Sequence, residues 1–169
     1  MTAYLLLVVA VGVERLVEVT LSERHARWAV TRGGVEYGRS HYGFMAAMHG
    51  ALLISCLAEV ALADRPFLPW LGWPMLALLL AAFALCWWCI NTLGNQWNTR
   101  VIVVPGLPLV TAGPYRWLRH PNYLAVAVEV FALPMVHTAW VTAMVFSVAN
   151  IGLMAVRIPV EERALATVS

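Results

Sequence analysis

Charge is scarce in this chain. Only 12% of its 169 residues are charged, about half of the roughly 25% usual for a soluble domain. Lysine is missing, so all eleven basic residues are arginine; they form no block of the kind that grips nucleic acid, and the net charge is +2. Cysteine is limited to Cys56, Cys86 and Cys89, all in apolar stretches, which excludes a disulfide framework. Cys86 and Cys89 have the C-x-x-C spacing of a redox pair or metal site, but no neighbouring Gly, Pro or second pair. They are expected to be packing thiols on a helix. There is no G-x-G-x-x-G and no H-E-x-x-H, so neither a soluble Rossmann-type site nor a metal is expected. The N-terminus lacks a positively charged leader region and a convincing cleavage site. Its first apolar run is expected to be a retained membrane helix.

What the chain has in abundance is apolar surface: 62% of its residues are hydrophobic and its mean hydropathy is +0.75. A single domain of this size cannot hide so much in one core, so lipid is its natural solvent. A membrane span takes about 20 mainly apolar residues. Phe67 to Leu93 contains no charge, and His41 to Leu62 is interrupted only by His49 and Glu59. Thr2 to Leu21 is a poorer span, with Glu14, Arg15 and Glu18 in its second half; Arg15 and Glu18 can pair on one helical face. From Tyr123 to Val156 the chain is again apolar, broken by Glu129, Pro134, His137 and Asn150. Two helices with a turn near Pro134 to Thr138 suit this stretch, and one long helix bent at the proline is the alternative.

The expected fold is therefore an all-α integral membrane protein of about five transmembrane helices, one domain over residues 1–169. Residues 1–92 supply three helices and residues 93–169 a cofactor-binding loop, a helical hairpin and a tail. Ser22 to Arg32 mixes arginines with Trp28 and small apolar residues, and ends at Gly33-Gly34. It is expected to be a separate interfacial amphipathic helix within residues 22–34. Arginines gather in the segments after spans one, three and five, and the opposite side holds only Arg65. By the positive-inside rule the N-terminus lies outside and the C-terminus in the cytoplasm, in a bacterial inner membrane.

The segment Asn95 to Asn122 is dense in Gly, Pro, Arg and aromatic residues. Pro114 and Pro121 restrict its turns and hold Tyr115, Arg119, His120 and Tyr123 in a short stiff stretch at the mouth of span four. Such a stretch can offer stacking, charge and hydrogen bonds to one ligand. Arginine and tyrosine are also ordinary interfacial anchors.

Gly113-Pro-Tyr-x-x-x-Arg-His-Pro-x-Tyr123 resembles the signature of the isoprenylcysteine carboxyl methyltransferase family, as do Leu109-Val110-Thr111 before it, Leu93-Gly94 with Trp97, and Arg157-Ile-x-x-Glu161-Glu162. The likeness covers about Leu93 to Leu165. It implies S-adenosylmethionine as cofactor, held at the cytoplasmic face by Val110, Thr111, Gly113, Tyr115, Arg119, His120, Pro121, Tyr123, Glu161 and Glu162, with Arg157 nearby. Short members resembling this chain are associated with O-methylation of alkylresorcinols and alkylpyrones. The family name itself implies a prenylated cysteine carboxylate. Membrane reductases of the steroid-reductase type share a Pro-x-Tyr motif and use NADPH, but lack this Arg-His-Pro with its glutamate pair. A non-catalytic scaffold would not need such a loop.

Glu129 lies six residues beyond Tyr123, where a carboxylate in a membrane segment is costly and a functional candidate. Together with His120 and Arg157 it forms the expected catalytic set, as base for a hydroxyl acceptor or as a structural pair with a basic residue. The expected substrate-facing residues are His49, Asn91, Trp97, Asn98 and Arg100. For His49 and Asn91 a helix-to-helix hydrogen bond is the competing reading. His137 is expected at the outer face and outside the site. The expected partners are a lipophilic small molecule and membrane lipid.

Overall fold

The structure, a computed structural model, describes residues 1–166, the side chains of residues 40 and 41 excepted. Five helices follow the apolar runs: α1 Thr2–Val30, α2 Arg39–Leu62, α3 Pro69–Leu93, α4 Pro121–Met135 and α5 Trp140–Leu165. The break between α4 and α5 falls at the expected Pro134–Thr138 turn. Two short strands, β1 Val35–Tyr37 and β2 Val101–Val103, pair antiparallel with Glu36 opposite Ile102, a feature outside the all-α expectation.

Stretches Tyr42–Leu62, Pro69–Gln96 and Trp140–Leu165 are long and apolar enough to cross a membrane. Helix α4, at 15 residues, is about 22 Å long, short of a bilayer core of about 30 Å. Large apolar side chains such as Ile54, Trp70, Leu80 and Val148 project outward, as lipid-facing residues should. The core inside the helices is built on Tyr4, Val8, Val11, Leu52, Cys56, Leu79, Val130 and Leu133. Helix α3 packs along α4, and α4 along α5.

The expected interfacial helix is instead the last third of α1. Tyr4, Val8, Val11, Glu18, Ser22, His25 and Ala29 are buried in one stripe, their spacing of three and four marking a single face of a continuous helix. The stripe is apolar as far as Val11 and polar from Glu18 to His25. Those polar groups are satisfied across the bundle. The Ser22 hydroxyl lies 2.8 Å from Asn98 Oδ1 and 2.7 Å from Thr99 Oγ1, and His25 Nδ1 2.8 Å from the Trp97 carbonyl.

The two ends of the bundle differ. At one end, Glu59 of α2 accepts hydrogen bonds from the Val141 and Thr142 amides at 3.2 and 2.7 Å, capping α5, and pairs with Arg65 at 2.9 Å. His137 packs there against Tyr4 and Phe67, far from the motif. The other end carries the β1–β2 pair, the last turn of α1, the loop after α3, the start of α4 and the C-terminal turns of α5.

Candidate active site

The motif loop is held by packing. Gly113 opens a 3-10 turn, Gly113–Arg116, at φ +55. A β-carbon there would lie 2.5 Å from Thr92 Oγ1 and 3.1 Å from Trp88 Nε1, so only glycine lets the loop close on α3. Pro114 and Pro121 are fully buried. Pro121 takes the first position of α4, where no amide proton is needed. Tyr115 is partly buried beside Cys89 of α3. Burial, and then the neighbouring thiol, push its phenol well above the usual range, so it stays a neutral hydroxyl.

At the mouth of α4 the motif meets the C-terminal turns of α5. Tyr123 donates to Glu161 Oε2 at 2.6 Å. His120 Nε2 is 3.3 Å from Glu162 Oε1, and its Nδ1 is 3.8 Å from Glu161 Oε1. Arg119, on the surface, reaches Glu162 at 3.7 Å. Arg157 is buried one turn before the glutamates. Its Nη2 donates to the Thr99 carbonyl at 2.7 Å, its Nη1 touches Met45 Sδ at 3.0 Å, and its guanidinium lies 6.0 Å from the Tyr123 ring centre. Its Nε is buried without a hydrogen-bond partner, and no carboxylate pairs with it among the described residues.

These groups open into a cavity of about 910 Å³ that runs between the helices as far as Gly12 of α1 and Leu53 of α2. Of the sequence-derived candidates, Val110, Thr111, Tyr115, Arg119, His120, Tyr123, Arg157, Glu161, Glu162, His49, Trp97, Asn98 and Arg100 line it. Gly113 and Pro121 stand behind the wall and shape it. Asn91 is exposed on the outside of α3 and does not reach the cavity, so the substrate contact expected of it is absent. His49 does not join two helices; it bonds within its own, Nδ1 to the Met45 carbonyl at 2.8 Å.

Asn98 and Arg100, on the cavity wall, are also tied into the surrounding structure. Asn98 ties α1 to the loop through Ser22, and Arg100 pairs with Glu23 and stacks 4.8 Å from the Tyr42 ring. Glu129 is buried but off the cavity wall, with its carboxylate 2.6 Å from Arg15 Nη2. The same guanidinium reaches Glu14 at 3.1 Å and Glu18 at 2.6 Å. A carboxylate so enclosed joins α1 to α4, the geometry of the structural pair with a basic residue rather than of an acceptor's base.

Sequence reasoning missed Arg15, Glu18 and Asn122 as parts of the wall. Asn122 Oδ1 lies 3.4 Å from Cys86 Sγ and 3.5 Å from Trp97 Nε1, and Cys86 donates to Glu18 at 2.9 Å. The signal was present for Asn122, which sits inside the motif. For Arg15 the partner is 114 residues away, and no spacing rule reaches it. Among the described residues no three His, Cys, Asp or Glu side chains are grouped to hold a metal ion.

Residues 75–167 match the isoprenylcysteine carboxyl methyltransferase (ICMT) family, more than half of the chain. The chain is 37% identical over 161 residues to the uncharacterized protein YpbQ of Bacillus subtilis, with 95% of each chain covered. It is 26% identical over 154 residues to an uncharacterized protein of Haemophilus influenzae, covering 89% of this chain and 88% of the other. On the match across the motif, both glutamates and the last two helices, the chain belongs to the isoprenylcysteine carboxyl methyltransferase family, whose members are membrane methyltransferases that use S-adenosylmethionine.

Proposed function

We propose that this protein transfers the methyl group of S-adenosylmethionine to an oxygen of a long-chain amphiphilic acceptor. The observation that carries this reading is the continuity of the cavity. The charged cluster of Tyr123, His120, Arg157, Glu161 and Glu162 opens directly into a largely apolar bore between the helices. We place the cofactor at the charged end and the acceptor's chain in the bore. We further place all five helices in a bacterial inner membrane, with the N-terminus outside and the charged end at the cytoplasm.

The residues present fit that cofactor. Its ammonium and sulfonium call for carboxylates, which Glu161 and Glu162 supply. Its carboxylate calls for a guanidinium, and Arg157 has no carboxylate of its own and a buried Nε without a partner. Its adenine calls for an apolar or backbone-rich wall, present along Val101, Ile102, Val103, Val104, Leu107, Leu109 and Val110. The bound cofactor supplies an electrophilic methyl group. The protein aligns the acceptor and keeps water out.

For the acceptor we favour a hydroxyl of an alkylresorcinol- or alkylpyrone-type lipid. Uncharged polar side chains (His49, Asn98, Asn122 and Asn150) punctuate the apolar wall and suit several hydroxyl groups on one head. The second reading is methylation of a prenylated cysteine carboxylate, favoured by the unpaired cation of Arg157. Both are tested by incubating the purified protein with cofactor labelled in its methyl group and either a long-chain alkylresorcinol or a prenylated cysteine. Mass spectrometry is expected to find the label as a methyl ether on the resorcinol. Label only in a carboxyl ester would replace the first reading by the second, and label in neither would overturn both.

A further inference from the structure

We propose that His49, in the membrane-embedded part of the cavity, is a catalytic residue that takes the proton of the acceptor's hydroxyl. The inference rests on the methyltransferase reading above and deepens it, because only a hydroxyl acceptor needs such a base.

Three observations meet at this side chain. First, Nδ1 lies 2.8 Å from the Met45 carbonyl, one turn back along α2. A carbonyl only accepts, so Nδ1 carries the proton, and in the neutral ring Nε2 holds the free lone pair. Second, His49 lines the cavity, and among the described residues nothing hydrogen-bonds Nε2. A free basic nitrogen therefore stands on the wall of the bore. Third, Met45, which orients the ring, also touches Arg157 Nη1 at 3.0 Å. His49 is thus one helical turn, about 5.4 Å along the axis, from the residue that contacts the charged end.

The other candidates for this role are engaged. Glu129 is enclosed by Arg15, and His120 sits between Glu161 and Glu162. Arg15 and Glu18 from α1 and Arg157 from α5 line the same cavity as His49. The Glu18 carboxylate can stabilise the imidazolium once it forms. In the step itself the acceptor's O–H bond breaks and its proton joins Nε2. The oxygen's electron pair forms the new bond to the methyl carbon as that carbon's bond to sulfur breaks, its pair remaining on sulfur. The imidazolium then releases the proton to water.

The test uses the cofactor-free protein in detergent and a para-nitrophenol carrying a long alkyl chain, whose phenolate form absorbs where the phenol does not. Bound to the wild type, the probe is expected to be phenolate at a pH where it is still phenol in empty micelles. His49→Gln should bind it with affinity within a few-fold, as phenol. With cofactor present, His49→Gln and His49→Asn should lower kcat on a hydroxyl acceptor about a hundredfold or more, with cofactor affinity unchanged. Probe bound to the wild type as phenol, or equal phenolate in wild type and His49→Gln, would overturn the role of His49 alone. A wild type that neither binds the probe nor methylates any hydroxyl acceptor would overturn the reading on which it rests. The wild-type spectrum decides the matter even where a variant fails to fold.

Discussion

Replacing both Glu161 and Glu162 by glutamine should weaken S-adenosylmethionine binding at least a hundredfold while leaving the protein folded. The two side chains are partly solvent-exposed, at 29% and 48%, and lie at the rim of the bundle, so their loss costs little packing. What they supply is negative charge. A hydrogen bond to a charged group contributes about 1.5–3 kcal/mol, and two such losses exceed the roughly 2.7 kcal/mol that a hundredfold requires. Glutamine keeps the shape and can still accept from Tyr123 and His120. Calorimetric titration checks the affinity, and thermal unfolding of the same samples checks the fold. Unchanged affinity in the double variant would remove the glutamate pair from the cofactor site.

Arg15→Met should be the most destabilising of the simple substitutions. One guanidinium bridges Glu14, Glu18 and Glu129 inside the helices. Without it three inward-facing carboxylates face one another, and removing one partner of a buried ion pair costs about 3–5 kcal/mol. Glu129→Gln, which keeps an acceptor for Arg15, should cost about 1 kcal/mol and leave turnover per folded molecule nearly intact. Groups in one network couple, so Arg15→Met should be less damaging in the Glu129→Gln background than alone. Thermal unfolding of the two single variants and the double variant measures this. Turnover lost in Glu129→Gln at wild-type stability would return Glu129 to the role of base.

How far the sequence could be read depended on the range of each interaction. The helices were legible because apolar runs and the Pro134–Thr138 break are local, as was the motif, whose prolines fix its own backbone. The Arg15–Glu18 pair followed from helical spacing. The last third of α1 was misread because its arginines suggested an interface, while its buried stripe continues at the same spacing with Ser22 and His25 in place of apolar residues. Their partners, Trp97 to Thr99, lie more than seventy residues on. The β1–β2 pairing depends on strands of three residues each, too short to show a period. Glu129 was recognised as costly, but whether it faced a ligand or a cation depended on a helix at the other end of the chain. Asn91 and His49 looked alike in sequence; only the rotation of α3 and α2 sends one outward and the other into the cavity.

The most direct measurement is a calorimetric titration of the purified protein in detergent with S-adenosylmethionine and, separately, with NADPH. Saturable binding of S-adenosylmethionine at one site per chain, lost in the Glu161 and Glu162 double variant, with no heat from NADPH, is the expected result. Binding of NADPH and not of S-adenosylmethionine, or of neither, would contradict a cofactor site formed by Tyr123, Arg157, Glu161 and Glu162.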